Sequence, residues 1–381
     1  MKLELERQEF MKSWQLVTRI SVAHVLVTAF EDDVILETTD LKTSVKCKAK
    51  GVNVLDIGSA LIPVAIFTNM LKKAASENLI LEVSSSRGIL NAGRNKTRFS
   101  LVPVEEFPEL PLSENATLVC ELATLDFAKL VNEGSIAASQ PMDFPRYVGS
   151  CLLKTSEGFL IAASTDGKRL AVAKTPCEKI ESSEEMLLLA PALREVAKVL
   201  AGYPDKNVKI FADSSIVWFQ VEDVEFSVRK VDATFPQYTR ILNDEVYSIL
   251  EINSLDLITT LERVDIIART NPAHIMSMVL TPDNNEVTIT ARSQDCGTVR
   301  EILSTTVEQN YLNVGFNVGY FLDGLKALGA STAVIEFSGE ETQARMKRKN
   351  DDSFLYMFMP ARLTASDRIS EDEIKDFLEG E

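Results

Sequence analysis

The sequence predicts an α+β chain built from three copies of one domain, each with two helices packed on antiparallel sheet. Three observations carry this: short markers that recur at a near-constant spacing, strand-like alternation between turn signals, and two helical patterns per copy. At 381 residues the chain is too long for one ordinary core. Glu4-Leu5 with Phe10, Glu121-Leu122 with Phe127 and Glu251-Ile252 with Leu257 each open a strand that runs into a helix. Helix starts recur at Ile62-Pro63, Ala190-Pro191 and Phe316-Asn317, where Pro suits the first turn and Asn the cap. Thr39-Asp40-Leu41-Lys42 matches Thr165-Asp166-Gly167-Lys168, Phe99-Ser100-Leu101 matches Phe226-Ser227-Val228, and Phe107-Pro108 matches Phe235-Pro236, at spacings of 126 to 128.

The elements come in the same order within each copy. Helical patterns fall at 10–19, 63–75, 125–133, 191–201, 255–269 and 318–328. Alternating runs in the second copy mark strands at 159–163, 170–174, 208–212, 216–221 and 225–231, with Asp166-Gly167 as the turn between the first two. The third copy ends in an alternating strand, 354–358. The expected domains are 1–117, 118–245 and 246–363, followed by an acidic tail, 364–381.

Composition narrows the function. An apolar fraction of 45% with 25% charged residues is that of a globular protein, and no run approaches the roughly 20 apolar residues of a membrane helix. The first ten residues, MKLELERQEF, lack the apolar stretch of an export signal, so a cytoplasmic location is expected. Cys47, Cys120, Cys151, Cys177 and Cys296 are scattered without zinc spacing and read as reduced, mostly buried thiols. His24 and His274 are the only histidines, which leaves little to build a metal site or a Ser-His-Asp triad on. Glu31-Asp32-Asp33 and Asp351-Asp352 read as solvated turns rather than metal ligands, and Gly93-Arg94-Asn95-Lys96-Thr97 lacks P-loop spacing. No cofactor and no catalytic residue is expected.

The formal net charge is −16, yet the six helical segments hold ten bases and seven acids. In the first copy Lys12, Arg19, Lys72 and Lys73 face no helical acid at all. Mildly basic helices within an acidic body suit a duplex held by its phosphates without base readout. An ordinary solvated helix face explains the same charges equally well.

Four motifs then stand in order on the threefold repeat: TDGKRLAV (165–172), FPQYTRIL (235–242), VGFNVGYFLDGLKAL (314–328) and FMPARL (358–363). Together they resemble the bacterial DNA polymerase III β subunit, the replication sliding clamp, over residues 1 to about 363. The resemblance implies three DNA-clamp domains per chain and a head-to-tail homodimeric ring around duplex DNA. Such a ring is non-catalytic and tethers the replicative polymerase α subunit, the clamp loader and other proteins through a short peptide docked between the second and third domains. It implies no membrane partner.

Carried over residue by residue, the peptide cleft comprises Thr165, Gly167, Lys168, Arg169 and Leu170, then Pro236, Arg240 and Ile241, then Ile275, Asn317 and Tyr320. Met357, Phe358, Met359, Pro360, Ala361, Arg362 and Leu363 close it, and Val148 replaces the family's apolar residue before Asn-Gly. Apolar walls would bury a partner's Leu and Phe, with the polar residues at the edge. The resemblance also implies DNA contacts at Lys12, Arg19, Lys72, Lys73, Arg146, Tyr147, Arg194, Lys198 and Arg263, and a dimer interface at Phe99, Leu101, Ile266 and Ile267.

Departures from the family are local. Ile20 to Phe30 lacks the usual proline- and asparagine-containing segment, and Met359-Pro360-Ala361 stands where the family has two methionines. The tail carries seven acids and two bases; Ser370 and Glu373 have capping-box spacing, and Ile374, Phe377 and Leu378 would share one helical face. It reads as a mobile acidic tail, or as a segment whose Phe377-Leu378 folds back into the cleft. Competing readings are a divergent paralogue that closes no ring, a peptide-binding repeat protein that never meets DNA, and a two-domain trimeric clamp, which three repeats in one chain disfavour.

Overall fold

A computed structural model of the chain describes residues 1–20, 22–140, 144–242 and 245–364. Its element order is one pattern written three times. The first copy runs β1 (Lys2–Glu6), α1 (Arg7–Val17), β2 (His24–Ala29), β3 (Val34–Thr39), β4 (Thr43–Lys48), β5 (Val52–Asp56), β6 (Gly58–Pro63), α2 (Val64–Lys73), β7 (Asn78–Ser84), β8 (Arg87–Ala92) and β9 (Asn95–Ser100). The second runs β10 (Thr117–Ala123), α3 (Thr124–Gly134), β11 (Ser150–Ser156), β12 (Phe159–Thr165), β13 (Arg169–Pro176), β14 (Lys179–Ile180), β15 (Glu185–Leu189), α4 (Ala190–Leu200), β16 (Asn207–Ala212), β17 (Ile216–Val221) and β18 (Val224–Arg229). The third runs β19 (Ser248–Asn253), α5 (Ser254–Ala268), β20 (Ile275–Thr281), β21 (Glu286–Ser293), β22 (Gly297–Ser304), β23 (Thr306–Gln309), β24 (Leu312–Asn317), α6 (Val318–Leu328), β25 (Thr332–Phe337), β26 (Ala344–Arg348) and β27 (Asp351–Phe358). The expected helices and strands are present, with ends displaced by at most three residues.

Pairing repeats with the order. The opening strand of each copy lies antiparallel between its fifth and seventh: β1 between β5 and β7, β10 between β14 and β16, β19 between β23 and β25. By compactness the chain divides into two units, Met1–Lys129 with Lys154–Leu160 and Pro176–Val231, and Leu130–Leu153 with Ile161–Thr175 and Asp232–Glu381.

In the first unit one sheet runs β5-β1-β7-β8-β9 and a second runs β14-β10-β16-β17-β18-β4-β3-β2-β6. The second sheet joins two copies, because β18 adds to β4 with Val224 opposite Cys47 and Val228 opposite Thr43. Helix α1 forms because Phe10, Trp14 and Val17 repeat at helical spacing and bury one face. Trp14 and Phe67 of α2 pack edge-on, 4.8 Å between ring centroids, and the indole N–H donates to Thr68 Oγ1 at 2.8 Å. Aromatic packing and a satisfied indole make this pair the centre of the first copy's core.

In the second unit the sheet β11-β12-β13-β27-β26-β25-β19-β23 likewise carries the joint between copies, since β27 adds to β13 with Arg169 opposite Phe358. A separate sheet runs β22-β21-β20-β24. Phe316, Phe321, Phe337 and Phe358 form the core, with Phe316 and Phe358 centroids 4.9 Å apart. Arg348 closes the far end of α6 by donating to the carbonyls of Ala327 and Leu328, while it pairs with the buried Glu133 of α3. At the near end of α6, His274 accepts the Val318 N–H on its carbonyl at 3.1 Å. The His274 ring is held by Asp265 of α5 at 2.5 Å, and Arg269 pairs with the same carboxylate. The histidine is therefore an anchor for the helix start.

Two measurements test this packing. Trp14→Ala removes the largest buried side chain of α1 and should cost about 3–5 kcal/mol of stability, read by chemical denaturation. Burial pushes the Asp265 carboxyl up, but hydrogen bonds from His274 and Arg269 outweigh it and hold the group below its ordinary value. A depressed carboxylate stabilises fully above the unfolded pKa of about 3.9 and loses that contribution as pH falls through the folded value. Asp265→Asn should therefore lower the melting temperature at pH 7 and flatten its fall below about pH 4.

Candidate functional site

The second unit assembles the predicted cleft residues around the β12–β13 hairpin. Thr165 Oγ1 donates to the Arg169 carbonyl at 2.6 Å and accepts the Gly167 N–H at 3.1 Å. Asp166 Oδ1 accepts the N–H groups of Lys168 and Arg169 at 2.9 and 3.0 Å. Gly167 sits at φ 87°, in the left-handed region that glycine enters without strain. The Lys168 carbonyl receives the Met359 N–H at 2.8 Å, which seats the chain leaving β27 beside the hairpin.

Arg169 is the fixed point of the site. Its guanidinium lies 4.4 Å over the Tyr320 ring, bonds Asp166 at 2.9 Å and Asp323 at 2.5 Å, and reaches the Tyr356 hydroxyl at 3.4 Å. Burial pushes the Tyr356 hydroxyl above its ordinary range, so it stays protonated and donates to the Tyr320 carbonyl at 2.9 Å. Asn317 caps α6 by accepting the Tyr320 N–H at 3.0 Å, opposite Ile275 in the β20–β24 pair. Tyr320 is thus held from its backbone and across its ring face.

The segment after β27 docks through Gly315. The Ala361 N–H donates to the Gly315 carbonyl at 2.8 Å, and a Cβ at that position would stand 2.5 Å from the Ala361 carbonyl oxygen and 2.7 Å from the Leu363 side chain. The preceding linker is tied as well: Arg345 donates to the Leu242 carbonyl at 2.6 Å and Gln343 to that of Ile241 at 3.5 Å.

Burial redistributes the expected apolar walls. Val148 is buried in the turn before β11, and Leu170, Met357 and Phe358 are buried where β13 pairs with β27 and where Phe358 packs on Phe316. Ile241 and Met359 are exposed, at 49% and 47%. Pro236, Lys168, Arg240 and Arg362 are also exposed, and Pro360, Ala361 and Leu363 are half-buried.

The expected DNA contacts divide by their partners. Arg19, Lys72, Lys73 and Arg146 are exposed with no carboxylate partner among the described residues. Lys12 pairs with Glu9, Lys198 with Glu195 and Arg263 with Glu301, so each has its charge partly matched. Arg194 is half-buried, and Tyr147 packs edge-on against Phe235 at 6.2 Å.

The dimer residues divide too. Ile266 is 62% exposed on α5, and Leu101 and Ile267 are half-buried. Phe99 faces inward against Phe67 at 5.9 Å, its ring occupying the space where a Cβ on Gly88 would lie. It is a core residue, and β9 offers its free edge as backbone.

Several contributors had weak signals in the sequence. Asp323 follows Tyr320 by one helical turn, so its face was readable, but its bond to Arg169 crosses 154 positions. Tyr356 and Gly315 looked like ordinary strand residues. The acidic turns hold cations: Asp33 pairs with Lys48, and Asp351 with Arg348. Among the described residues no cluster of three or more His, Cys, Asp or Glu could hold a metal, and no helix is long and apolar enough to cross a membrane. The tail features Ser370, Glu373, Ile374, Phe377 and Leu378 lie outside the described residues.

Known proteins resemble this chain in sequence and in fold. The family model of the DNA polymerase III beta subunit central domain matches residues 121–237, and that of its C-terminal domain matches residues 239–362. The chain is 26% identical to the beta sliding clamp of Staphylococcus epidermidis over 348 residues, covering 89% of this chain and 91% of the relative. The structure of the Pseudomonas aeruginosa DNA polymerase III subunit beta matches with a TM-score of 0.88 at 22% identity, over 95% of this chain and 100% of that one. The Bacillus subtilis DNA polymerase sliding clamp matches at 0.89 and 21% identity, over 96% and 100%. A further structure similar to this chain is that of a Pseudomonas aeruginosa sliding clamp bound to griselimycin. With two consecutive domains of one protein matched in order across well over half of the sequence, the chain belongs to the DNA polymerase III beta subunit family, the beta sliding clamps.

Proposed function

We propose that this sliding clamp works as a ring of two copies that encircles duplex DNA, with one peptide-docking cleft per chain. The supporting observation is a strand joint made twice and left open once. The last strand of the second copy adds to the third hairpin strand of the first, β18 on β4, and the last strand of the third copy adds to that of the second, β27 on β13. The same rule assigns β9 to β22. Each ends its sheet with one unpaired edge, and β22 of a second chain would complete the series. Unpaired edges invite pairing, and head-to-tail contacts whose rotation closes give rings. Domain limits at 1–117, 118–245 and 246–363 fit the recurring order, with Ile266 and Ile267 beside the joint.

A ring needs no tight local grip on DNA. Arg19, Lys72, Lys73 and Arg146 supply weak, sequence-independent phosphate contacts, while the topological link keeps the protein on the duplex. The clamp catalyses nothing; it raises the effective concentration of the polymerase and other tethered proteins at the primer end. In the cleft, Ile241 and Met359 offer apolar contact to a partner's Leu and Phe, and Arg169, Asn317 and Tyr320 are pre-positioned so that little order is lost on docking.

The ring reading is tested on DNA topology. Assembled on a nicked circular plasmid by its cognate loader, the clamp should co-elute with DNA through gel filtration and leave once the plasmid is linearised. Solution mass should be near twice 42.2 kDa and persist on dilution. A monomer at all concentrations, or equal retention on linear DNA, rejects the ring. Lys72→Glu with Lys73→Glu should lower the salt slope of equilibrium DNA binding by about two, one unit per lost phosphate contact. For the cleft, Ile241→Asp should weaken binding of a Leu-Phe peptide at least tenfold by fluorescence anisotropy, with the oligomer mass unchanged.

A further inference from the structure

We propose that residues 365–381 of this chain are an intramolecular ligand of its own cleft, competing with partner peptides for Ile241 and Met359. The proposal rests on the peptide-docking reading of that cleft and adds its regulation.

The first observation is the set of groups the cleft leaves unsatisfied. Ile241 and Met359 are large apolar side chains about half exposed, and Lys168, Arg240 and Arg362 stand exposed with no carboxylate partner among the described residues. Exposed apolar groups beside unpaired cations fit an occupant that is both apolar and acidic. The second is where the described chain stops. Ala361 is tied to Gly315 and the Leu363 side chain lies over that glycine, so the chain passes Thr364 at the cleft itself. The third is the composition of the remaining C-terminal residues. Residues 365–381 carry seven acids against two bases, with Ile374, Phe377 and Leu378 as their large apolar residues after Ile369.

Length and linkage agree with this occupant. Phe377 lies 14 residues beyond Leu363, a span of up to about 46 Å when extended, ample for a return to a site adjoining Leu363. A segment so tethered acts at an effective concentration of the order of millimolar, so even weak intrinsic affinity competes with a peptide supplied at micromolar concentration. Asp376 and Glu379 flank the Phe377-Leu378 pair and would meet the cations at the cleft edge, an attraction that salt screens.

The test uses the full chain. A fluorescent Leu-Phe peptide without acidic residues is titrated into the parent and into a variant with Ile374→Ala, Phe377→Ala and Leu378→Ala together. The variant should bind at least threefold tighter at low salt, with the gap shrinking as sodium chloride rises from about 0.05 to 0.5 M. Equal affinities in a chain whose peptide binding still depends on Ile241 overturn the tail proposal and leave the cleft standing. Peptide binding that ignores Ile241→Asp overturns the cleft reading and this inference with it. A variant that gains affinity for DNA but not for the peptide places the tail against the basic helices instead, which also overturns it.

Discussion

One joint supports this architecture: the last strand of a copy added to the third hairpin strand of the copy before it. Its hydrogen bonds come from backbone groups that every residue except proline carries in full, so the joint asks little of side-chain identity. What it does require is alternation, with one face buried and register held by that burial. Where β18 meets β4, the Ser44 and Ser227 hydroxyls share a buried hydrogen bond at 2.5 Å, and the buried Val45 and Cys47 stand opposite Phe226 and Val224. A fold held in this way tolerates heavy substitution.

Charge follows from the same economy. A protein of net charge −16 repels a phosphate polyanion over most of its surface, so attraction has to be confined to a few groups. Lys12, Lys198 and Arg263 each hold a nearby carboxylate, which lowers what they can offer to phosphate. Arg19, Lys72, Lys73 and Arg146 are exposed without a carboxylate partner among the described residues. Few and weak contacts are an advantage for a topologically linked protein, since a strong local grip would slow its movement along the duplex.

The repeat was legible in the sequence because its signals are local. Turn residues, cap residues and alternation reside in short windows, and they located the helices to within three positions at either end. The site was less legible because its geometry depends on distant partners. Arg169 was readable as a polar edge, but its fixation by Asp323 and Tyr356 spans more than 150 positions. Phe99 matched Phe226 in pattern, and nothing nearby showed that Gly88 leaves room for its ring to turn inward. Leu170 looked like a cleft wall and Met357 like part of the closing segment, until their pairing across β13 and β27 placed both in the core. A motif match transfers position well and exposure poorly, because exposure is decided by whichever strand arrives from elsewhere.

The β3–β4 and β12–β13 hairpins share one backbone frame in different surroundings. Asp40 Oδ1 accepts the N–H groups of Lys42 and Thr43 at 2.9 and 2.7 Å, as Asp166 does for Lys168 and Arg169. The Lys42 carbonyl receives the Arg229 N–H at 2.8 Å, as the Lys168 carbonyl receives that of Met359. The frame is duplicated bond for bond, while its surroundings differ. Leu41 occupies the tip at φ 71°, where Gly167 stands in the second copy, and Pro108 to Pro111 line the same side of the hairpin. At the second hairpin an arginine replaces Thr43, and Arg169 reaches α6 to hold Tyr320. The backbone frame therefore carries a joint in the first and second copies alike. What the second hairpin adds is Arg169, whose guanidinium reaches across to Tyr320 and Asp323 of α6.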